Sequence, residues 1–450
     1  MLSFIEEISY LNKVCRFNDK IKEHMALKIV PILFGLIIFF PLSQITMAEE
    51  TASVQSILTE EEAVSNAIRN NYDLRQAKIS VELARVQLVL AGLWPNPEGE
   101  FSIRSDKYYA NEGEGGYEYG LNQSIPISGR IFFQKRVARL GVERAEWQLK
   151  DAQRQVVAVV RKTFYQVTTL QEKEKILNSL VKINQDLLES GKARLRQAEV
   201  SNIDITLVRG ELLMVSQELA ELKANLYKSR ADLNMLMGQS LNNPFVITSG
   251  PLTFPSIDLE TTTQESLENR PDLKAKELEE KMGSAALSLA KAMQIPDITV
   301  GGFYQSDKSR FDVNGQKVSD NSRTLGFKVS IPLPFFNHNQ GEIAKTTVEN
   351  NDASLQVEAL KVQIAKEVSQ AYIRLTASKE IMNSYNNGVR QDMEKSVKLM
   401  QNAYLQGQVS LFDVVQTQSK FNSIEKSFLD AAQNAREAVI DLESAEGKNS

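Results

Sequence analysis

The chain has 450 residues, 42 % of them hydrophobic and 24 % charged, with a formal net charge of −5. These values exclude a disordered polymer, and the mild acidity gives no basis for nucleic-acid binding. A single cysteine, Cys15, excludes a disulfide framework.

Residues 1–48 read as a leader and signal peptide. Lys28 precedes an apolar run from Ile29 to Leu42, followed by Thr46, Met47 and Ala48. A run of about 14 residues is short for a membrane span but suits a signal-peptide core, with Ala48 at a small-residue cleavage site. Met25 stands where such a peptide normally starts, which leaves open whether residues 1–24 are translated. No cysteine follows Ala48, so no lipid anchor is expected there.

A first structural repeat is expected over 49–238. Thr59 before Glu60, Glu61 and Glu62 predicts a capped helix running to about Leu93, stopped by Trp94-Pro95-Asn96-Pro97. Alternation then takes over, with Phe101 and Ile103 opposed to Ser102 and Arg104, and Tyr117, Tyr119 and Leu121 opposed to Glu118 and Gly120. This predicts a hairpin over about 98–126 with roughly ten residues per arm. From Ile131 to Ser190 a helical seam follows, including Val137, Leu149, Val156, Phe164, Leu177 and Leu187. At 1.5 Å per residue it is a rod of about 90 Å, which needs partners of similar length. A turn near 191–201 and a helix from Asn202 to about Met237 close the repeat.

Residues 239–262 read as an irregular connector, and the order then restarts over 263–445, leaving a short tail at 446–450. A helix from Gln264 to Met293 leads to a second hairpin at about 297–332, whose polar tip is expected at Asp307 to Asn321. The second rod spans Gln340 to Tyr404, and a last helix runs from Ser410 to Ser444. Landmarks repeat: Asn71-Tyr72-Asp73-Leu74 with Arg270-Pro271-Asp272-Leu273, Ser124-Ile125-Pro126 with Ser330-Ile331-Pro332, and Val200-Ser201 with Val409-Ser410. Three ordered pairs about 200 to 209 residues apart indicate internal duplication.

The expected fold is therefore mainly α with membrane β, built from a duplicated helix–hairpin–helix–helix unit. Four amphipathic strands cannot close a barrel, and lipid forbids an open edge. Two chains would give eight strands and no passage, whereas three give a 12-stranded β-barrel above a long α-helical barrel.

With this duplication, the Gln123-Ser124-Ile125-Pro126 junction and the stretch Ala403-Tyr404-Leu405-Gln406-Gly407-Gln408-Val409-Ser410-Leu411-Phe412-Asp413, the chain resembles the TolC family of outer-membrane efflux channels. The likeness spans about residues 58–445 and leans toward the branch serving cobalt-zinc-cadmium and copper pumps. It implies an outer-membrane homotrimer in a Gram-negative bacterium, with its helical part in the periplasm. It also implies docking to a periplasmic adaptor and an inner-membrane pump of the RND type. By the same resemblance, Asp413 falls at the family's aperture, while Asp204 and Tyr404 fall on positions that latch neighbouring helix pairs. Val409 and Gln416 depart from basic and acidic residues that some members carry.

No motif for catalysis is present: the chain has no Gly-x-Ser-x-Gly, His-Glu-x-x-His or Gly-x-x-x-x-Gly-Lys. A passive duct needs none, and no cofactor is expected. His338 is the one histidine beyond the leader, too few for a soft-metal site, so any metal would be cargo. Asp413 from three chains would make a carboxylate ring that favours cations, although both Asp204 and Asp413 also suit helix capping. Val200, Ser201, Val409 and Ser410, at the turn apices, are the candidate adaptor contacts. Two rival readings remain at this point, an exit duct for type I protein secretion and a pore-less periplasmic coiled-coil scaffold.

Overall fold

A computed structural model describes residues 56–108, 113–197, 199–248, 250, 254 and 257–447. The leader expected at 1–48 and the end of the 446–450 tail lie outside these residues. Short strand β1 (Ser56–Leu58) precedes α1 (Glu60–Asn70). Thr59 and Glu62 form a capping box in which each backbone N–H donates to the other's side chain. Asn71 breaks the helix before α2 (Tyr72–Leu90) by accepting from the amides of Asp73 and Leu74. The expected single helix is thus two, because this side chain satisfies a new helix start before the old one has ended.

Strands β2 (Glu98–Ser105) and β3 (Gly115–Ile125) make the first hairpin, and Gly129, at φ +71°, admits the turn into α3 (Arg130–Leu195). α3 is one unbroken helix of 66 residues, about 100 Å long at 1.5 Å per residue. α4 (Asn202–Leu236) returns beside it. The connector then contributes β4 (Phe245–Ile247), which pairs in parallel with β1. The irregular stretch expected at 239–262 therefore contains a strand, whose partner lies some 190 residues earlier and left no local signal.

The second repeat runs α5 (Leu259–Asn269), α6 (Pro271–Ala292), β5 (Ile298–Val313), β6 (Gln316–Ser330), α7 (Gln340–Ser384), α8 (Arg390–Leu405) and α9 (Leu411–Ala445). Three expectations change here. Arg270 and Pro271 split the first helix as Asn71 does in the first repeat. The stretch 307–321 is not a loose tip: β5 and β6 stay paired out to Val313 and Gln316, turning through Asn314 and Gly315. Both turn residues have positive φ, as a two-residue I′ turn requires. The second rod is also broken, by a wide π-type turn at Tyr385–Val389.

The four hairpin strands form one antiparallel sheet ordered β2-β3-β5-β6, so β2 and β6 are open edges. Phe101, Ile103, Tyr119, Leu121, Leu325, Phe327 and Val329 are all exposed on it. Among the described residues no helix is long and apolar enough to cross a membrane.

α3 is the common partner of α1, α2, α4, α6 and α9. A waist core joins Leu58, Ala63, Leu74, Val160, Phe164, Leu233 and Phe245. Charged side chains lock the end of α9 onto this waist: Arg161 bonds Glu60 and Glu443, and Arg154 reaches Asp151 and the Ser444 carbonyl. Arg270, 4 % exposed, grips Asp272 through two nitrogens at 3.0 and 2.6 Å and Glu367 at 2.6 Å. Burial pushes the Asp272 carboxyl up, but the Arg270 bonds outweigh it and leave its pKa below the usual 3.8. Asp272 therefore adds stability that is present above pH 3.8 and lost as pH falls through the lower folded value. Thermal melts of the parent should lose stability across that acid range, and Asp272→Asn should melt lower at pH 7 with a flatter acid profile. Identical profiles would remove Asp272 from the lock.

Candidate functional site: the paired helical tips

At the end remote from the sheet, the α3–α4 turn and the α8–α9 turn share one small core. Leu188, Ile205, Val208, Tyr404, Leu411, Val414 and Val415 are buried in it, with Val200 and Val409 packed at its edge. Gly191 is the close crossing. A Cβ there would meet Leu411 at 2.6 Å and Ile205 at 2.8 Å, closer than side chains tolerate. Each turn is closed by its own backbone. The amides of Gln197 and Glu199 both donate to the Arg194 carbonyl at 3.0 Å, and Gln408 donates to the Ala403 carbonyl at 2.9 Å. Gly407, at φ +71°, takes the left-handed position that ends α8.

Caps set the two returning helices. Ser201 accepts from the Ile203 amide at 3.1 Å. Ser410 accepts from the Asp413 amide at 3.1 Å, while its own amide and hydroxyl donate to Asp413 Oδ2 at 3.1 and 2.7 Å. Asp413 is exposed and Asp204 half-buried, each in the first turn of its helix. Ser201 is exposed, whereas Val200, Val409 and Ser410 are half-buried.

Tyr404 is 5 % exposed, and its hydroxyl has no hydrogen-bond partner among the described residues. No bond to Asp204 forms within one chain. Its ring instead carries the Arg194 guanidinium 4.9 Å from the centroid. Arg194 also donates to the Tyr404 carbonyl at 3.2 Å and pairs with Glu199 at 3.1 Å. One side chain thereby joins the tips of both repeats. Sequence reasoning missed Arg194 because its partner is 210 residues away; the only local sign was a cation in the last turn of a helix.

The sequence pattern described as "Outer membrane efflux protein" matches residues 63–239 and 262–448. The chain belongs to this family. It is an outer-membrane efflux channel, a passive duct and not an enzyme, with its helices in the periplasm of a Gram-negative cell. Efflux channels of this kind are the outer component of assemblies with a periplasmic adaptor and an inner-membrane pump. The chain is 24 % identical over 362 residues to the cobalt-zinc-cadmium resistance protein CzcC of Cupriavidus metallidurans, covering 80 % of this chain and 83 % of that protein. It is 22 % identical over 384 residues to the cation efflux system protein CusC of Escherichia coli O157:H7, covering 82 % and 81 %. In fold it is similar to the crystal structure of CusC, with a TM-score of 0.71 and 18 % identity over 87 % of this chain and 92 % of that one. The Campylobacter jejuni CmeC outer membrane channel superposes with a TM-score of 0.72 at 17 % identity, covering 93 % and 94 %. The resemblance read from the sequence holds.

The Arg194 contacts predict that Arg194→Ala loosens the efflux channel's tip. Amide hydrogen exchange at 402–408 should rise while the waist helices keep their protection. Unchanged exchange at 402–408 would show that the stack holds nothing.

Proposed function

We propose that three copies of this chain close one ring, which conducts cations delivered by an RND-type pump and is gated at the helical tips. The observation that carries the ring is the pair of open edges. β2 follows α2 and β6 leads into α7, so each edge strand continues into a helix on its own flank of the protomer. Both helices carry an exposed apolar residue at every seventh position, Ile79, Val86 and Leu93 along α2 and its end, and Val348, Leu355 and Val362 along α7. A seventh-residue repeat is one stripe of a helix, the pattern of a seam that expects another helix. Pairing β2 of one copy with β6 of the next brings these stripes together, and three copies give twelve strands with no edge left in lipid.

At the tips, the same ring gathers three Asp413 carboxylates around the axis. Carboxylate rings lower the local potential and favour cations. Asp204, Tyr404 and the Arg194 stack hold the helix pairs near one another in the closed state. Val200, Ser201, Val409 and Ser410 then form the apex that meets the adaptor. Cation cargo is supported by the names of two relatives, the cobalt-zinc-cadmium resistance protein and the cation efflux system protein. The relative named toxin and drug export protein A, 23 % identical over 330 residues, supports toxin or drug export as the alternative reading.

Two experiments test this reading. Each apolar side chain covered at the seam contributes about 1.5–3 kcal/mol. Val348→Asp combined with Leu355→Asp should therefore convert a heat-modifiable trimer on gels into monomer; a trimer of unaltered stability would overturn the seam. In planar bilayers Asp413→Asn should weaken cation preference and block by divalent ions, at a stability cost below about 1 kcal/mol. Selectivity and block equal to the parent's would remove the carboxylate ring.

A further inference from the structure

The second hairpin outreaches the first. β3 and β5 pair only as far as Gly115 and Lys308, whereas β5 and β6 run on to Val313 and Gln316. Five residue pairs, from Ser309 with Asp320 to Val313 with Gln316, therefore stand clear of the four-stranded sheet at the end remote from the helices. They make a two-stranded ribbon about 17 Å long at the usual rise per residue. Side chains of directly paired residues share a face, so the registers sort the whole sheet. One face carries the rung Phe101, Tyr119, Tyr304 and Leu325, and next to it Leu121, Gly302 and Phe327. The opposite face carries Ser102, Glu118, Gln305 and Thr324, and then the ion pair of Arg104 with Asp307 at 3.2 Å. In a membrane barrel the apolar face meets lipid and the polar face meets the passage.

The polarity reverses in the ribbon. Pairing runs without a bulge up to the two-residue Asn314-Gly315 turn, so the two faces carry through unshifted. Phe311 with Val318, and Val313 with Gln316, continue the face that looks into the passage. Arg310 with Ser319, and Asp312 with Lys317, continue the face that looks away from it. Phe311, Val313 and Val318 are 55 %, 54 % and 48 % exposed, so a single copy leaves this apolar face in water. The base of the ribbon is braced from the side: the Arg310 amide donates to Glu114 at 2.9 Å, and Gly113 lies against the Arg310 guanidinium. Twelve strands about 4.8 Å apart and tilted by about 40° enclose a ring of roughly 12 Å radius. The ribbon is longer than that radius, so three of them leaning inward meet over the axis. Charge outside and apolar side chains inside is the pattern of a face that another surface covers. What stands across the axis of a ring is the same face of the other copies.

We infer that the ribbons of three copies meet over the outer mouth through Phe311, Val313 and Val318 and form an apolar seal at the end opposite the helical tips. The inference rests on the three-copy ring proposed above. Cross-linking tests the contact. Phe311→Cys in a Cys15→Ser chain, purified as the heat-modifiable trimer and oxidised with copper phenanthroline, should give a disulfide-linked dimer on non-reducing gels. Lys317→Cys, on the outward face, should not. A trimer in which Phe311→Cys stays unlinked, or links no faster than Lys317→Cys, would overturn the seal and leave the ring standing; a chain that runs only as monomer removes both. Access tests the closure. Thr324→Cys, on the inner face below the ribbon, should react slowly when a bulky water-soluble maleimide is added to whole cells. Phe311→Ser with Val318→Ser should speed that reaction severalfold, because a polar mouth stays wet. A rate unmoved by the two serines would overturn the seal. Shielding of Phe311→Cys in the purified trimer only after lipopolysaccharide is added would overturn it too, assigning the apolar face to lipid.

Discussion

A helix of 66 residues has no interior of its own. α3 exposes a stripe about 100 Å long that only other long elements can cover, and the rest of the fold is arranged around that need. α2 and α6 cover the part near the sheet, α1 and the β1–β4 pair the waist, α4 and α9 the part near the tip. Charged pairs run alongside the apolar contacts: Lys173 meets Asp430, Lys162 meets Asp441, and Arg161 bridges Glu60 and Glu443. Most of these pairs are half-exposed and individually weak. Their value lies in number and in register, since each fixes the height of α9 along α3.

The same geometry moves the unsolved packing problem outward. One chain covers α3, but it leaves two sheet edges and two apolar stripes on its flanks. Exposed backbone N–H and C=O groups are affordable in water and forbidden in lipid. A head-to-tail ring is the arrangement that satisfies both flanks with a single kind of contact, because what one copy leaves open at β6 and α7 is what the next leaves open at β2 and α2.

Features written in a local period were legible in the sequence. The rods, the hairpins, the Ile-Pro junctions and the duplication all follow from spacing and from proline. The Asn71 and Arg270 breaks are visible as landmarks but read as interior positions, because the apolar pattern continues across them. Only the outer part of the β5–β6 ribbon, 307–321, reads as a polar tip, since beyond Asp307 polarity no longer alternates with burial. There both faces are exposed, and the Asn314-Gly315 turn was the better guide. The broken second rod had a sign too, Asn386-Asn387-Gly388 in the middle of a helical seam. What no spacing rule reaches is a contact between distant segments: Arg194 with Tyr404, or β1 with β4.

Asp413 shows why capping and gating need not be rival accounts of one residue. A carboxylate that lines an aperture is useful only if its charge stays in one place, and an exposed aspartate on a helix surface normally samples several rotamers. Here both bonds from Ser410 fall on Oδ2. The side chain is thereby held at the first turn of α9, where the helix dipole also favours its charge. Oδ1 carries no hydrogen bond among the described residues and keeps its capacity to meet a hydrated cation. The cap restricts the carboxylate's position without consuming its charge, so the interaction that begins the helix is also what would give a ring of three such groups a defined field.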